Sequence, residues 1–253
     1  MNLRGAWTLF LKEVLRFAKV TVQTVLTPVV TALLYLLVFG HLLEDRVEVV
    51  GGIGYGVFLV PGLVMMGMMQ NAFANSSSSL IQSKMTGNLL FVLLAPISPL
   101  EFWLAFVAAA VVRGVVVGAG VWLAASFLVD LPAVRPGLIA AFAVLASGVL
   151  GGLGVIAGLW AEKFEHLAAF QNFVIVPLVF LSGVFYSVNQ LPPLWQAVSQ
   201  YNPFFYMIDG FRYGFLGAGD VEPGRSLAVA ALFFAAVTAA GIWILRRGYR
   251  IRR

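Results

Sequence analysis

Six apolar stretches, each long enough to cross a lipid bilayer, dominate this chain. They run Val22–Leu43, Ile53–Ala74, Phe102–Val129, Leu138–Trp160, Leu167–Val188 and Leu227–Leu245. A spanning helix needs about 20 consecutive apolar residues. None of the six alternates with the period of two that a membrane barrel strand requires. The reading is an all-α membrane protein with six spans, forming a single transmembrane domain over residues 1–253. Composition agrees: of 253 residues, 61% are hydrophobic and 11% charged. Soluble domains average about 45–50% apolar and about 25% charged. That excess excludes a water-soluble enzyme, a nucleic-acid-binding domain and a disordered regulator.

The few charges are sorted by membrane side. With the N-terminus inside, the cytoplasmic segments carry eleven cations (Arg4, Lys12, Arg16, Lys19, Lys84, Lys163, Arg246, Arg247, Arg250, Arg252, Arg253) and four acids, net +7. The outer segments carry four cations (Arg46, Arg135, Arg212, Arg225) and seven acids, net −3. Cationic loops stay cytoplasmic. A multi-pass protein with both termini in the cytoplasm is expected.

Three non-spanning segments are unexpectedly apolar. Residues 3–19 form an amphipathic helix with Leu3, Trp7, Phe10, Leu11, Val14 and Phe17 on one arc. Arg4, Thr8, Lys12, Arg16 and Lys19 lie opposite. Such a helix lies in the membrane interface with its cations toward lipid phosphates. It is either an anchor alone or also a surface for a cytoplasmic partner. Residues 75–101 read as a loop opening on Asn75-Ser76-Ser77-Ser78-Ser79, with a short helix over 80–94. Its apolar run Leu89–Leu94 must insert into a groove, under its own bundle or on another subunit. Residues 189–226 are rich in Trp, Tyr, Phe and Pro. They read as two short helices re-entering the outer leaflet, where covered backbone is tolerated, or, more plainly, as an aromatic belt at the membrane interface.

Arg113 is the single charge inside a span. It must meet a partner or a wet cavity, either in a helix–helix contact or on a substrate pathway. Gln70, Asn71, Asn75, Gln171 and Asn172 cluster near the inner ends of spans two and five. Amides there line a vestibule or bond between helices. Catalytic and metal sites have no candidates: no intramembrane carboxylate, no Cys, and no His-Glu-x-x-His. No Gly-Lys phosphate loop exists either, so ATP has no P-loop site in this chain.

The words Val22-Gln23-Thr24, Thr27-Pro28, Val60-Pro61-Gly62 and Arg113-Gly114 stand in one order along the chain. Gly183-Val184-Phe185-Tyr186-Ser187, Leu191-Pro192-Pro193, Asn202-Pro203 and Gly210-Phe211-Arg212-Tyr213-Gly214 follow. In these the chain resembles the ABC-2 type permease family, the membrane subunits of type-2 ABC exporters. The likeness runs nearly end to end and is nearest to small drug and nodulation-factor exporter permeases.

The resemblance implies a homodimer in the bacterial inner membrane, with two cytoplasmic ABC ATPase subunits docked on it. ATP and Mg would bind the partner ATPase, and this chain itself would carry no cofactor or metal. The 80–94 helix would be the coupling helix, with Ser83, Lys84, Asn88, Leu89, Leu90 and Phe91 at the ATPase contact. Arg113, Gln70, Asn71, Asn75, Gln171 and Asn172 would mark the translocation pathway. The short outer helices would cap it, with Phe185, Tyr186, Trp195, Asn202, Pro203, Phe211 and Arg212 as an outer gate. The cargo would be amphiphilic or lipid-linked, moved outward from the cytoplasm or inner leaflet. The alternative is a non-transporting scaffold or sensor subunit. One departure is that no charge follows Lys84 before Leu89-Leu90-Phe91, where many relatives carry several.

Overall fold

The computed structural model describes residues 2–40 and 52–247. Those residues form an all-helical bundle. Helix α1 (Leu3–Ala18) starts where the Asn2 side chain accepts from the Gly5 N–H at 3.0 Å, a side-chain cap for an otherwise orphan donor. Helix α2 covers Thr21–Tyr35 and continues through a π turn to Gly40. The remainder of the expected first span, 41–43, lies outside the described residues.

Helix α3 (Tyr55–Met85) is 31 residues long, about 46 Å at 1.5 Å per residue. It corrects the expected loop at Asn75–Ser79, which is helical. The reason is packing. A Cβ on Gly154 would sit 2.5 Å from the Phe73 carbonyl, and one on Gly158 would sit 2.8 Å from Leu80 Cβ. Serines on α3 and glycines on α6 therefore let the two helices touch backbone to backbone. Ser77 Oγ also donates to the Phe73 carbonyl at 2.8 Å, which satisfies the hydroxyl within the helix.

The helix breaks at Gly87, whose φ of 73° suits a residue without Cβ. The expected 80–94 helix is therefore two pieces. Residues 80–85 end α3, and α4 is only Asn88–Leu94. Helix α5 (Pro99–Ala125) opens on a capping box, Ser98 with Glu101, three residues before the expected start at Phe102. Helix α6 is Pro136–Trp160.

The fifth apolar stretch departs most from expectation. Helix α7 (Phe164–Phe180) joins segments of 7, 5 and 5 residues, the middle one a π turn over Gln171–Ile175. It spans about 25 Å, short of the roughly 30 Å hydrocarbon layer. Pro177 lacks the N–H that a regular helix would need there. The chain then turns at Gly183, φ 75°. Among the described residues five helices, not six, are long and apolar enough to span: α2, α3, α5, α6 and the last.

Beyond the turn come α8 (Pro193–Gln200) and α9 (Pro203–Leu216), then α10 (Pro223–Arg247). Helix α3 forms the core and packs on α5, α6 and α9. Of its most apolar window 78% is buried, against 17% for both α2 and α10. Those two helices form the outer walls.

Candidate functional site

Arg113 stands near the middle of α5, roughly 21 Å from its start and 18 Å from its end. It faces a cavity of about 360 Å³ between α2, α3, α5 and α7. Gln70, Asn71 and Gln171 line the same cavity. Arg113 Nη2 donates to Asn71 Oδ1 at 3.1 Å. Asn71 is oriented for this, because its Nδ2 donates to the Gly67 carbonyl at 3.1 Å. Arg113 Nε is buried without a hydrogen-bond partner among the described residues.

The fourth wall escaped sequence reasoning. Gln23, Thr27 and Thr31 recur every four residues on α2 and, with Thr24, line the cavity. A polar stripe at helical spacing inside an apolar span is the signal that would have found them. Leu63, Met66 and Ala32 supply the apolar surface.

Two of the sequence-selected amides lie elsewhere. Asn172 is exposed on α7. Asn75 is fully buried and serves the contact between α1 and α3. Arg16 Nη2 donates to its carbonyl at 2.7 Å and to its Oδ1 at 3.1 Å. Arg16 also pairs with Glu13 Oε2 at 3.2 Å. It thus points into the protein and not toward lipid phosphates. The side of α1 that packs inward carries Leu9, Glu13 and Phe17, while Leu3, Trp7 and Leu15 are exposed.

An aromatic cluster stands one turn beyond Thr31. The Phe185 ring lies 5.3 Å from Tyr35, 5.7 Å from Phe39 and 5.3 Å from Phe180. Tyr55 Oη fixes this turn by donating to the Phe185 carbonyl at 2.8 Å. Asn202 joins α9 to the end of α7: its Nδ2 donates to the Leu178 carbonyl at 2.7 Å, and its Oδ1 accepts from the Phe204 N–H. Pro203 then starts α9, where a missing N–H costs nothing.

Arg212, counted by sequence among the outer cations, is buried instead. It donates to the carbonyls of Gly183, Val184 and Phe58, and its guanidinium lies 3.8 Å from the Phe58 ring centroid. Phe211 is buried beside it. Tyr186 reaches the Phe180 carbonyl from the edge, and Trp195 is half exposed on α8, apart from this packing.

Asp209 holds the following loop by accepting from the N–H groups of Asp220 and Val221 at 2.7 and 3.0 Å. Burial pushes its carboxyl up to about 6, against the lowering effect of those bonds and of Arg212. Asp220 in turn accepts from the Val188 N–H at 2.7 Å and from Ser187 Oγ.

At the opposite end of α3, the selected residues divide. Lys84 Nζ donates to the carbonyls of Leu159 and, at 3.0 Å, Ala161, so it caps the last turn of α6. Ser83 and Leu89 are buried. Asn88, Leu90 and Phe91 are exposed, with Leu94 beside them.

This end-to-end arrangement has relatives. The sequence model of the ABC-2 type transporter family matches residues 4–216. The inner membrane transport permease YadH of Escherichia coli K12 is 37% identical over 251 residues, covering 99% of this chain and 96% of YadH. Nodulation protein J of Rhizobium meliloti is 27% identical over 225 residues, covering 88% and 85%. A match of that extent, on a helical bundle of this apolar composition, makes the chain a membrane transporter subunit belonging to the ABC-2 type transporter family.

Proposed function

We propose that the chain is the permease half of an ATP-driven exporter in a bacterial inner membrane, energised by separate ATPase subunits. The observation that carries this reading is α4. Leu90, Phe91 and Leu94 are 58%, 71% and 73% exposed on a helix whose other side is held by buried Leu89. An apolar face on a short helix that directly follows the 31-residue α3 is a docking knob for a second protein. Force applied there passes across the Gly87 break to α3, whose Gln70 and Asn71 line the cavity.

In this reading α7 and the Gly183 turn together complete a sixth crossing, with both termini cytoplasmic as the charge sorting requires. The exposed walls α2 and α10 are where a second copy would pack, giving a homodimer with two ATPases. ATP and Mg belong to that partner. The Arg113 cavity is the pathway, and the Phe185 cluster with the Arg212 cap is its outer gate. Cargo leaves from the cytoplasm or inner leaflet.

The test is co-purification with a co-expressed ATPase subunit. Leu90→Asp with Phe91→Asp should abolish capture of the ATPase and stimulated hydrolysis, while the melting temperature stays within about 2 °C. Unchanged capture by that double variant overturns the docking role. Hydrolysis by the permease alone overturns the division of labour.

A further inference from the structure

We infer that the Arg113 cavity is a headgroup site for an anionic amphiphile, whose apolar part lies along α2; this rests on reading the cavity as the export pathway. Three observations converge. First, among the described residues no carboxylate lines the cavity to balance the cation. Among the described residues its hydrogen bond is to the neutral Asn71 Oδ1, which does not compensate the charge, and Nε is buried with no partner there. An uncompensated guanidinium at this depth favours an entering phosphate or carboxylate, which it can grip with a planar fork of donors.

Second, the remaining lining suits a polar headgroup. Gln23, Gln70, Gln171 and the hydroxyls of Thr24, Thr27 and Thr31 offer neutral donors and acceptors around the cation. The volume, about 360 Å³, is at the low end for small-molecule pockets of about 300–1,000 Å³. It admits a headgroup and excludes a whole lipid.

Third, polar and apolar surfaces adjoin along one helix. The stripe Gln23, Thr27, Thr31 faces the cavity. One residue back in each turn, Val22, Leu26 and Val30 are 77%, 55% and 46% exposed in the single chain, on the wall proposed above for the second copy, so a tail there lies in the seam between copies. A molecule with a charged head and an apolar tail can satisfy both stripes at once. A free anion satisfies only the first.

The experiment uses the purified full chain in neutral detergent, with bound ligand read by native mass spectrometry. Lysophosphatidic acid, lysophosphatidylcholine of the same acyl chain and inorganic phosphate are titrated in parallel. Lysophosphatidic acid should bind at least tenfold more tightly than either. Arg113→Gln should weaken it at least tenfold, and Arg113→Lys should keep part of the affinity. Thr31→Trp, which obstructs the cavity and leaves the cation in place, should weaken it similarly and carries the test if Arg113→Gln does not fold.

Equal binding of the two lipids overturns the proposal, as does indifference to both Arg113→Gln and Thr31→Trp. Inorganic phosphate binding as tightly as lysophosphatidic acid overturns the amphiphile and leaves a free-anion site. No ATPase is present, so failure here leaves α4 docking standing. Failed docking, conversely, leaves these adducts unchanged.

Discussion

Gly62 lies directly beneath Arg212. A Cβ built on Gly62 would sit 3.1 Å from Arg212 Nη2 and 2.7 Å from the Val184 carbonyl oxygen. That same nitrogen donates to the Gly183 carbonyl at 2.7 Å. The glycine gives the buried guanidinium its seat between α3 and the turn after α7. Gly62→Ala should therefore cost about 1–3 kcal/mol, as overpacking of a tight core does. The control is Gly137→Ala, where no described residue has an atom within 4 Å of the new Cβ. There the change should be neutral or stabilising by about 0.4–1 kcal/mol. Thermal melting in detergent separates the two, and equal effects would refute the seat.

Arg212 itself should tolerate no replacement. Its three carbonyl acceptors belong to Phe58, Gly183 and Val184, on two different parts of the chain. Arg212→Leu leaves those carbonyls unpaired in a buried site, and hydrogen bonds to a charged group contribute about 1.5–3 kcal/mol each. Arg212→Lys retains charge but lacks the planar fork. Both variants should lower the melting temperature, Leu more than Lys. Hydrogen exchange should rise first over residues 181–188. A wild-type melting curve for Arg212→Leu would show that the cap is held by other contacts.

Asp209 gives this outer cap a pH dependence. Its carboxyl titrates near 6 in the folded protein, raised by burial above the ordinary 3.8. A folded-state acid with a raised pKa binds more protons than the unfolded chain between those values. Stability therefore falls as pH climbs from about 4 to about 6 and levels off above. The span is on the order of 2–3 kcal/mol. Asp209→Asn should remove this slope, although an amide can accept only one of the two N–H bonds from Asp220 and Val221. The reading is the difference in melting temperature between wild type and variant at pH 4.5 and pH 7. A difference that does not change with pH would count against the assignment.

Much of this organisation was legible in the sequence, for physical reasons. Twenty apolar residues in a row leave few options, so α2, α3, α5, α6 and α10 fall where the apolar runs do. Arg113, Gln70, Asn71 and Gln171 were recognisable because polar groups within an apolar span need a purpose. What escaped depends on partners distant in the chain. The serine run Ser76–Ser79 looks like a loop until the glycines of α6 supply a helix to pack on. Arg212 looks like an outer-loop cation until three carbonyls arrive from elsewhere. The Thr27–Thr31 wall was hidden because threonine on an apolar helix can bond its own backbone, as Thr31 does to Thr27. The phase of α4 was undecidable: seven residues of near-uniform apolarity do not say which leucine turns inward.

The α4 phase yields its own prediction. Leu89 is 6% exposed and Phe91 is 71% exposed, two residues apart. Leu89→Ala should destabilise by about 2–5 kcal/mol, as core leucine truncation does. Phe91→Ala should stay within about 0.5 kcal/mol, as surface changes do. In ATPase capture the order should reverse at matched folding: Phe91→Ala loses partner, and Leu89→Ala keeps it below its lowered melting temperature. Equal destabilisation by both variants would mean that Phe91 packs on the bundle.

The last relationship concerns α1. Arg16 grips the carbonyl and the side chain of Asn75, and it pairs with Glu13, which is fully buried. Removing one partner of a buried charged pair leaves the other uncompensated. Glu13→Gln keeps an acceptor for Arg16 and should cost less than Arg16→Gln, which leaves the buried Glu13 carboxylate with only the half-exposed Lys12, 3.3 Å from its Oε1. Asn75→Ala removes only one of the two Asn75 acceptors, because the backbone carbonyl at 2.7 Å remains. The expected order of loss is therefore Arg16→Gln, then Glu13→Gln, then Asn75→Ala. Hydrogen exchange localises it: amides of α1 should lose protection in that order while those of α10 stay unchanged. If all three variants loosen α10 as much as α1, the cluster supports the whole bundle and does not act as a local clasp on the interface helix.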